Sequence, residues 1–396
     1  MAEPNTLIRT IAPGYMPKER LAVSLLFLMH GIYMGAWSPK IPEFASRLSL
    51  SPSMLGMLIF AFGIGSLVMM PIAGIQIAKH GSAYVSKLGA LLFSSTMLMV
   101  TLAPNVATGT IAVFLLGGLA GAFDVGMNSN AVIVEKAMKR SIMSSCHGYW
   151  SIGAFIGAGT GGILMQSIGV IGHAIALTAF ALVILAISWS LIMPDTPHPS
   201  EHKERAKLPM TPLPWLIGIM ALFSMIPEGA VLDWGALYLR NELNGSVALS
   251  GFAFGSFALT MSIMRFGGDF VRDLLGAVKT LQMCTVLAII GMAIAGMAPN
   301  AEMAIIGFGI CGLGISNMVP IAFSAAGNLP GYAQGVALSL VTFLGYSGAL
   351  FAPSIIGFIA EHTGFKTIYL GLPVLMTIVL VLSPLAKHAD NVTAKD

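Results

Sequence analysis

The stretch PDTPHPSEHKERAKLPMTP, running from Pro194 to Pro212, decides how this chain is organised. It carries five prolines together with Glu201, Lys203, Glu204, Arg205 and Lys207, and it is the longest polar stretch of the sequence. Proline removes a backbone donor and breaks a helix interior, so no helix continues through it. Apolar windows lie on both sides. Before it they cover residues 20–44, 54–78, 83–103, 107–134, 142–167 and 170–193. After it they cover 213–239, 247–271, 277–298, 303–326, 333–360 and 366–387. Each is long enough to cross the hydrocarbon of a bilayer, which takes about 20 residues. A linker midway through twelve spans predicts an N-terminal six-helix bundle over residues 1–193, a cytoplasmic linker over 194–212 and a C-terminal bundle over 213–396.

Composition agrees with this division. Of 396 residues, 56% are apolar and 9% are charged, and the mean hydropathy is +0.85. Soluble domains carry about 25% charged residues, and 20 basic plus 17 acidic side chains cannot cover the surface of a soluble protein of this length. Disorder requires the opposite balance of hydrophobicity and charge. The fold class is therefore an all-α membrane protein with two pseudo-symmetric six-helix bundles. Cys146, Cys284 and Cys311 all fall in apolar runs, which argues against a disulfide framework. The net charge of +3 is spread along loops rather than gathered on one face, which argues against a nucleic-acid partner. The first window is too long for the apolar core of a signal peptide and no cleavage pattern follows it, so it reads as a retained span.

Basic residues set the orientation. With the N-terminus inside, sixteen Lys and Arg lie on the cytoplasmic side and four, Lys40, Arg47, Arg240 and Lys366, lie outside. Both termini are expected in the cytoplasm, with the protein multi-pass in the cytoplasmic (inner) membrane. The halves also repeat. Ser151, Gly153, Gly157 and Gly161 of the fifth window match Ser347, Ala349, Pro353 and Gly357 of the eleventh at a spacing of 196 residues, and the second-to-third and eighth-to-ninth loops lie about 195 residues apart.

Enzymatic motifs are absent from the sequence. Gly307, Gly309 and Gly312 satisfy the spacing G-x-G-x-x-G but lie inside an apolar span, without the strand and acid that a dinucleotide site requires. The histidines show no metal-ligand spacing, and neither a cofactor nor a metal is expected. Charges inside the membrane are more informative, because they are costly and usually functional. Asp124 lies eleven residues, or about 16 Å of helix, before Glu135 at the inner end of the fourth span, which places it near the midplane. Asn128 is one turn away on the same face. Asp124 reads either as a neutral acid bonded between helices or as a proton carrier or substrate acceptor. Glu228, in Pro227-Glu228-Gly229, lies near the middle of the seventh span, where proline and glycine suggest a broken helix. It reads as a second titrating or binding group, or as a hinge element. Asp233 lies nearer the outer surface and reads as an outer gate or snorkelling charge. His30, Tyr33 and Trp37 share one face of the first span. With His147, Tyr149, Trp150 and Tyr346 they offer ring faces and hydrogen bonds suited to a small polar solute with an apolar side. Histidines in such places also serve as hydrogen-bonding packers, and Trp and Tyr near span ends form interfacial belts.

The eighth-to-ninth loop, Arg265-Phe266-Gly267-Gly268-Asp269-Phe270-Val271-Arg272-Asp273, resembles the Gly-Asp-Arg loop signature of the major facilitator superfamily. The resemblance extends over nearly the whole chain. It implies that Arg265, Asp269 and Asp273 help to lock the cytoplasmic ends of the bundles, whereas the equivalent loop with Gly74, Ala78, Lys79 and Gly81 lacks the acids. Within that superfamily, Asp124-Val125-Gly126-Met127-Asn128, His147 to Ala154, Gly31 and Ile41-Pro42 resemble the fucose permease-like branch, with Ser38 where that branch carries an acid. The likeness implies a proton role for Asp124. The run Gly153, Gly157, Ala158, Gly161, Gly162 is also similar to the antiporter motif of the superfamily, with Ala158 in place of its proline. The expected function is a monomeric, proton-coupled secondary transporter of a small, sugar-like or related solute, whose partners are the solute, protons and the lipid bilayer. A proton-driven exporter of amphipathic compounds is the alternative. A non-transporting membrane sensor fits less well, because the short loops leave nothing to relay a signal.

Overall fold

The computed structural model describes residues 17–138, 142–195, 211–329 and 336–394, and these are helical with no strand among them. In chain order the helices are α1 (Lys18–Arg47), α2 (Pro52–His80), α3 (Ser82–Leu102) and α4 (Val106–Met138). Next come α5 (143–168) and α6 (170–189), then α7 (Pro212–Asn241) and α8 (247–275). The last four are α9 (Ala277–Met297), α10 (Ala301–Gly327), α11 (Val336–Thr363) and α12 (Phe365–Leu382), followed by a 3-10 segment, Ser383–Ala394. Among the described residues, eleven continuous helical stretches are long and apolar enough to cross a membrane. One of them, Ser145–Trp189, contains two spans. It is interrupted at Gly169, whose φ of 76° no other residue type adopts readily. The start of α5 meets the start of α1 through Arg20, and the segment after α6 returns to α4, where Asn130 donates to the carbonyl of Met193 at 2.8 Å. The chain therefore doubles back at Gly169, giving twelve spans.

The internal repeat is visible atom by atom, at 195 residues. Gly81, Gly169, Gly276 and Gly364 are the described glycines with positive φ, and they form two pairs at that offset. Ser51 and Ser246 each accept from the backbone three residues on, as do Asn105 and Asn300. Asp195 accepts from the N–H groups of Ser82 and Ala83 at 2.7 and 3.0 Å, capping α3, and Asp390 caps α9 through Ala277 at 2.9 Å. The 196-residue match expected between α5 and α11 is thus one residue out of register. Gly162, not Gly161, corresponds to Gly357, and Ala158 corresponds to Pro353.

Contacts divide the chain into two compact units. The first takes residues 1–34, 61–157 and 164–201. The second takes the C-terminal helices together with residues 35–60 and 158–163. Glycines allow close helix packing in each. In the first unit, Gly65 and Gly117 bring α2 and α4 together, a methyl on either falling 2.0–2.1 Å from a carbonyl oxygen of Phe114 or Phe62. In the second, Gly307 faces Gly291 and Ala295 of α9, Gly309 faces Ser256 and Thr260, and Gly312 lies against the carbonyl of Phe257. The three glycines of the G-x-G-x-x-G spacing are therefore helix-packing positions.

Candidate functional site

In the first unit, the residues around Asp124 are positioned by three local devices. Arg20, 5% exposed, donates to Cys146 Sγ at 2.9 Å and Ser145 Oγ at 2.6 Å, and its guanidinium lies over the Tyr149 ring. That fixes the start of α5 against α1. Two to three turns further along, Gly31 and Gly153 let the two backbones touch. The third device is a break in α3 at Ser95. Ser94, Ser95 and Thr96 each bond back to the carbonyl three residues earlier, at 2.6, 2.8 and 2.7 Å. Such back-bonding competes with the helix ladder. The Ser94 carbonyl then accepts from Tyr33 and from Thr178 at 3.0 Å. Tyr33 is fully buried with its hydroxyl committed to this break, so it presents no surface to a solute in this conformation.

His30 is buried between α1, α4 and α5. The indole N–H of Trp150 donates to its Nδ1 at 2.7 Å, and its Nε2 lies 3.4 Å from the carbonyl of Ala120. An indole nitrogen only donates, so Nδ1 is the acceptor and the ring carries its proton on Nε2. Phe93 stacks on the same imidazole at 5.2 Å and Phe123 lies at 5.6 Å. Ala120, Asp124 and Asn128 follow one another at four-residue spacing along one face of α4. Asp124 and Asn128 are half-buried, and the Asn128 amide donates to the Asp124 carbonyl at 2.9 Å and to its carboxylate Oδ1 at 3.1 Å. His30 with Trp150, and Asp124 with Asn128, thus make two polar pairs in one unit, with His30 reaching α4 at Ala120, one turn before Asp124. His147 is exposed and meets Phe27 edge-on at 5.2 Å. Removing the indole donor by Trp150→Phe leaves a buried nitrogen unpaired, which costs about 1–3 kcal/mol. The expected result is a lower melting temperature of the solubilised protein, and an unchanged one would show that this bond does not hold the site.

In the second unit, α7 runs from Pro212 to Asn241 without interruption. The expected break at Pro227 is absent, because proline removes a single ladder bond and packing against α11 keeps the helix continuous. Gly218 accepts Leu344, and Gly348 lies against the carbonyl of Leu222. Glu228 is half-buried, and the space at the neighbouring Gly229 is open to 4 Å. Trp37 is 2% exposed and packs on Phe44. Tyr346 is 53% exposed. Asp233, expected near the outer surface, is 8% exposed, beside the buried Trp234. Lys40, expected in an outer loop, is 1% exposed within α1.

Arg265 is half-buried on α8, and the side chains of Asp269 and Asp273 lie outside the described residues. The neighbouring signature residues are described. Gly268 packs against the Asn317 amide, where a methyl would fall 2.3 Å from its oxygen. Arg272 donates to Ser324 Oγ at 3.2 Å and to the carbonyl of Ala389, and lies 3.7 Å from Asp390. Sequence reasoning missed Asp195 and Asp390. Each acts on a helix start 113 residues away, and the signal available was their own 195-residue spacing.

Twelve apolar helices in a 195-residue repeat, with acids and amides inside the spans, define a polytopic membrane protein of the transporter class. The model of the Major Facilitator Superfamily matches residues 21–346 and 217–395. The chain belongs to that superfamily, a family of transporters rather than enzymes. It is 32% identical over 364 residues to an uncharacterized MFS-type transporter of Yersinia pestis, covering 91% of this chain and 93% of that one. It is also 32% identical over 352 residues to the membrane protein MosC of Rhizobium meliloti, covering 87% and 84%. Among solved structures, the nucleoside transporter NupG matches with a TM-score of 0.70 at 12% identity, covering 92% of this chain and 98% of that one. A variant of the E. coli fucose:proton symporter FucP matches at 0.59 and 16% identity, covering 92% and 98%. At these identities the two structures share the fold.

Proposed function

We propose that this protein is a proton-coupled secondary transporter that moves a small polar organic solute across the cytoplasmic membrane by alternating access, with both termini in the cytoplasm. The observation that carries the proposal is the Asp124–Asn128 pair, one turn apart on the face of α4 that His30 also touches. A carboxyl group inside a membrane bundle exchanges a proton when its exposure changes. An amide one turn away holds that carboxyl in place, and the half-buried Trp150, oriented by its bond to the buried His30, adds ring surface for a solute. Asp124 is the proton carrier in this reading. Asn128, His30 and Trp150 bind or orient the solute, with His147 and Tyr346 at less enclosed positions. Glu228 is the corresponding group on α7. Arg265, Asp269 and Asp273 stabilise closure on the cytoplasmic side. The protein works as a monomer, since each chain holds both halves of the repeat.

Export of amphipathic compounds is the second reading. It is favoured by a 25% identity over 242 residues to the quinolone resistance protein NorA of Staphylococcus aureus, which covers 57% of this chain. Binding to the native state raises the melting temperature with ligand concentration, so a panel of sugars, nucleosides, organic acids and amphipathic drugs separates the two. Stabilisation by a polar solute, weakened in Asn128→Ala, supports the first reading. Stabilisation by amphipathic cations alone supports the second.

A further inference from the structure

The first unit carries a feature that solute transport does not use, a groove between α2 and α3 with α4 beneath it. Its volume is about 290 Å³. The floor is Ala73, Gly89 and Ala122, whose small side chains leave the space above them unfilled. Ala73 and Ala122 are buried in one cluster with Val85, so this floor is part of the core. The sides are Ile72, Leu88 and Leu92, large apolar side chains that are all exposed. From Tyr84 to Leu92 the groove follows eight residues of helix, or about 12 Å, most of the ~15 Å of hydrocarbon in one leaflet.

Polar groups gather at one end, where α2 turns into α3. Gln76 and Tyr84 line the groove there. The His80 ring lies against the Tyr84 ring with centroids 5.0 Å apart, and the adjoining Lys79 is exposed. The carboxylate at this end, Asp195, is spent on the N–H groups of Ser82 and Ala83. The groove is thus apolar along its length and basic at its mouth.

The repeat supplies an internal comparison. Gly117 and Gly312, 195 residues apart, meet the carbonyls of Phe62 and Phe257, so the register holds through α4 and α10. The counterparts of Ala73 and Ala122 are Gly268 and Asn317, and the Asn317 amide fills the space over Gly268. Leu274, Leu275 and Lys279 stand for Lys79, His80 and Tyr84, so the second mouth has neither the imidazole nor the aromatic ring. The open floor and the polar mouth distinguish the first half from the second, and neither is a by-product of the shared fold.

We propose that this groove binds one acyl chain of an anionic phospholipid whose phosphate meets Lys79 and His80. Basic residues at a membrane surface attract anionic headgroups. The Gln76 amide and the Tyr84 hydroxyl supply hydrogen-bond donors at the level of the headgroup. An apolar cleft with a basic mouth therefore matches an amphiphile of this polarity. Placement in the inner leaflet rests on the membrane orientation proposed above, whereas binding itself does not.

The test follows thermal unfolding of the delipidated protein in detergent against dioleoyl phosphatidylglycerol and dioleoyl phosphatidylcholine. Phosphatidylglycerol is expected to stabilise the parent saturably, and more than phosphatidylcholine does. Lys79→Gln is expected to raise the half-maximal phosphatidylglycerol concentration about fivefold, the worth of one basic residue at an anionic surface. Lys279→Gln, in the equivalent place of the second half, is expected to leave it unchanged. Ala73→Phe, which fills the groove, is expected to remove the difference between the two lipids. Should Ala73→Phe fail to fold, Ala73→Gly with Ala122→Asn copies the filled floor of the second half and is expected to give the same loss. Equal stabilisation of the parent by both lipids, equal effects of Lys79→Gln and Lys279→Gln, or a parent-like response of the groove variants would overturn the site. Stabilisation by a long-chain quaternary amine instead of phosphatidylglycerol would also overturn it and assign the groove to amphipathic cations. These measurements do not depend on which side of the membrane the groove faces, so failure of the site and failure of the orientation are separate results.

Discussion

Asp124→Asn is expected to abolish uphill accumulation of solute while preserving exchange across proteoliposomes. The reasoning starts from the geometry. Asp124 accepts from Asn128 through both its backbone and its side chain. Asparagine at 124 keeps an acceptor oxygen at the same reach, so the local bonding survives. It also mimics the protonated acid in size and charge, but has no proton to release. A group drives accumulation only when its proton occupancy differs between the two access states. Exchange requires no net proton movement and should continue, whereas accumulation should fall to the equilibrium level. Radiolabelled uptake with and without an imposed pH gradient separates the two. Full accumulation by Asp124→Asn would make Asp124 structural and turn attention to Glu228. Loss of both exchange and binding would mean that Asp124 holds the solute directly.

The second large effect is expected at Gly31. Its Cα faces the backbone of Trp150, and a methyl there would lie 2.0 Å from the carbonyl oxygen and 2.8 Å from the carbonyl carbon. Gly153 makes the reciprocal approach to the carbonyl of Leu28 at 2.4 Å. Backbone atoms cannot rotate aside as a side chain can, so Gly31→Ala must push α1 and α5 apart. Overpacking of this kind costs about 1–3 kcal/mol. Separation of the helices would also stretch the Trp150–His30 bond. The matched control is Gly74→Ala on α2, where nothing lies within 4 Å. That change relieves the helix of a poor former, worth up to about 1 kcal/mol. Thermal unfolding of the solubilised proteins should show Gly31→Ala several degrees below the parent and Gly74→Ala at or above it. Equal melting temperatures would mean that the α1–α5 contact is not tightly packed.

Much of this architecture was legible because the bilayer imposes a length on every span. Hydropathy alone separated the twelve windows. The pairing of Asp124 with Asn128 followed from helix periodicity. What escaped were features set by tertiary contact. Asp195 and Asp390 look like charges of a linker and a tail, yet each caps a helix whose start is remote in sequence. The windows ending at 167 and starting at 170 placed a turn at Gly169, and its dihedral angles show how the chain makes it. The aromatic face of α1 was found, but periodicity could not say that Tyr33 would be spent on the break in α3 while His30 received the Trp150 donor. At Pro227 a local rule pointed to a broken helix, and the packing of α7 against α11 prevailed.

Proton movement during solute entry tests the coupling claim most directly. Proteoliposomes in weakly buffered medium, given a solute chosen by thermal stabilisation, should make the external medium more alkaline as the solute enters. Asp124→Asn liposomes should exchange the same solute with no pH change. Solute entry in the parent protein without alkalinisation, or an equal pH change in Asp124→Asn, would contradict proton coupling through Asp124.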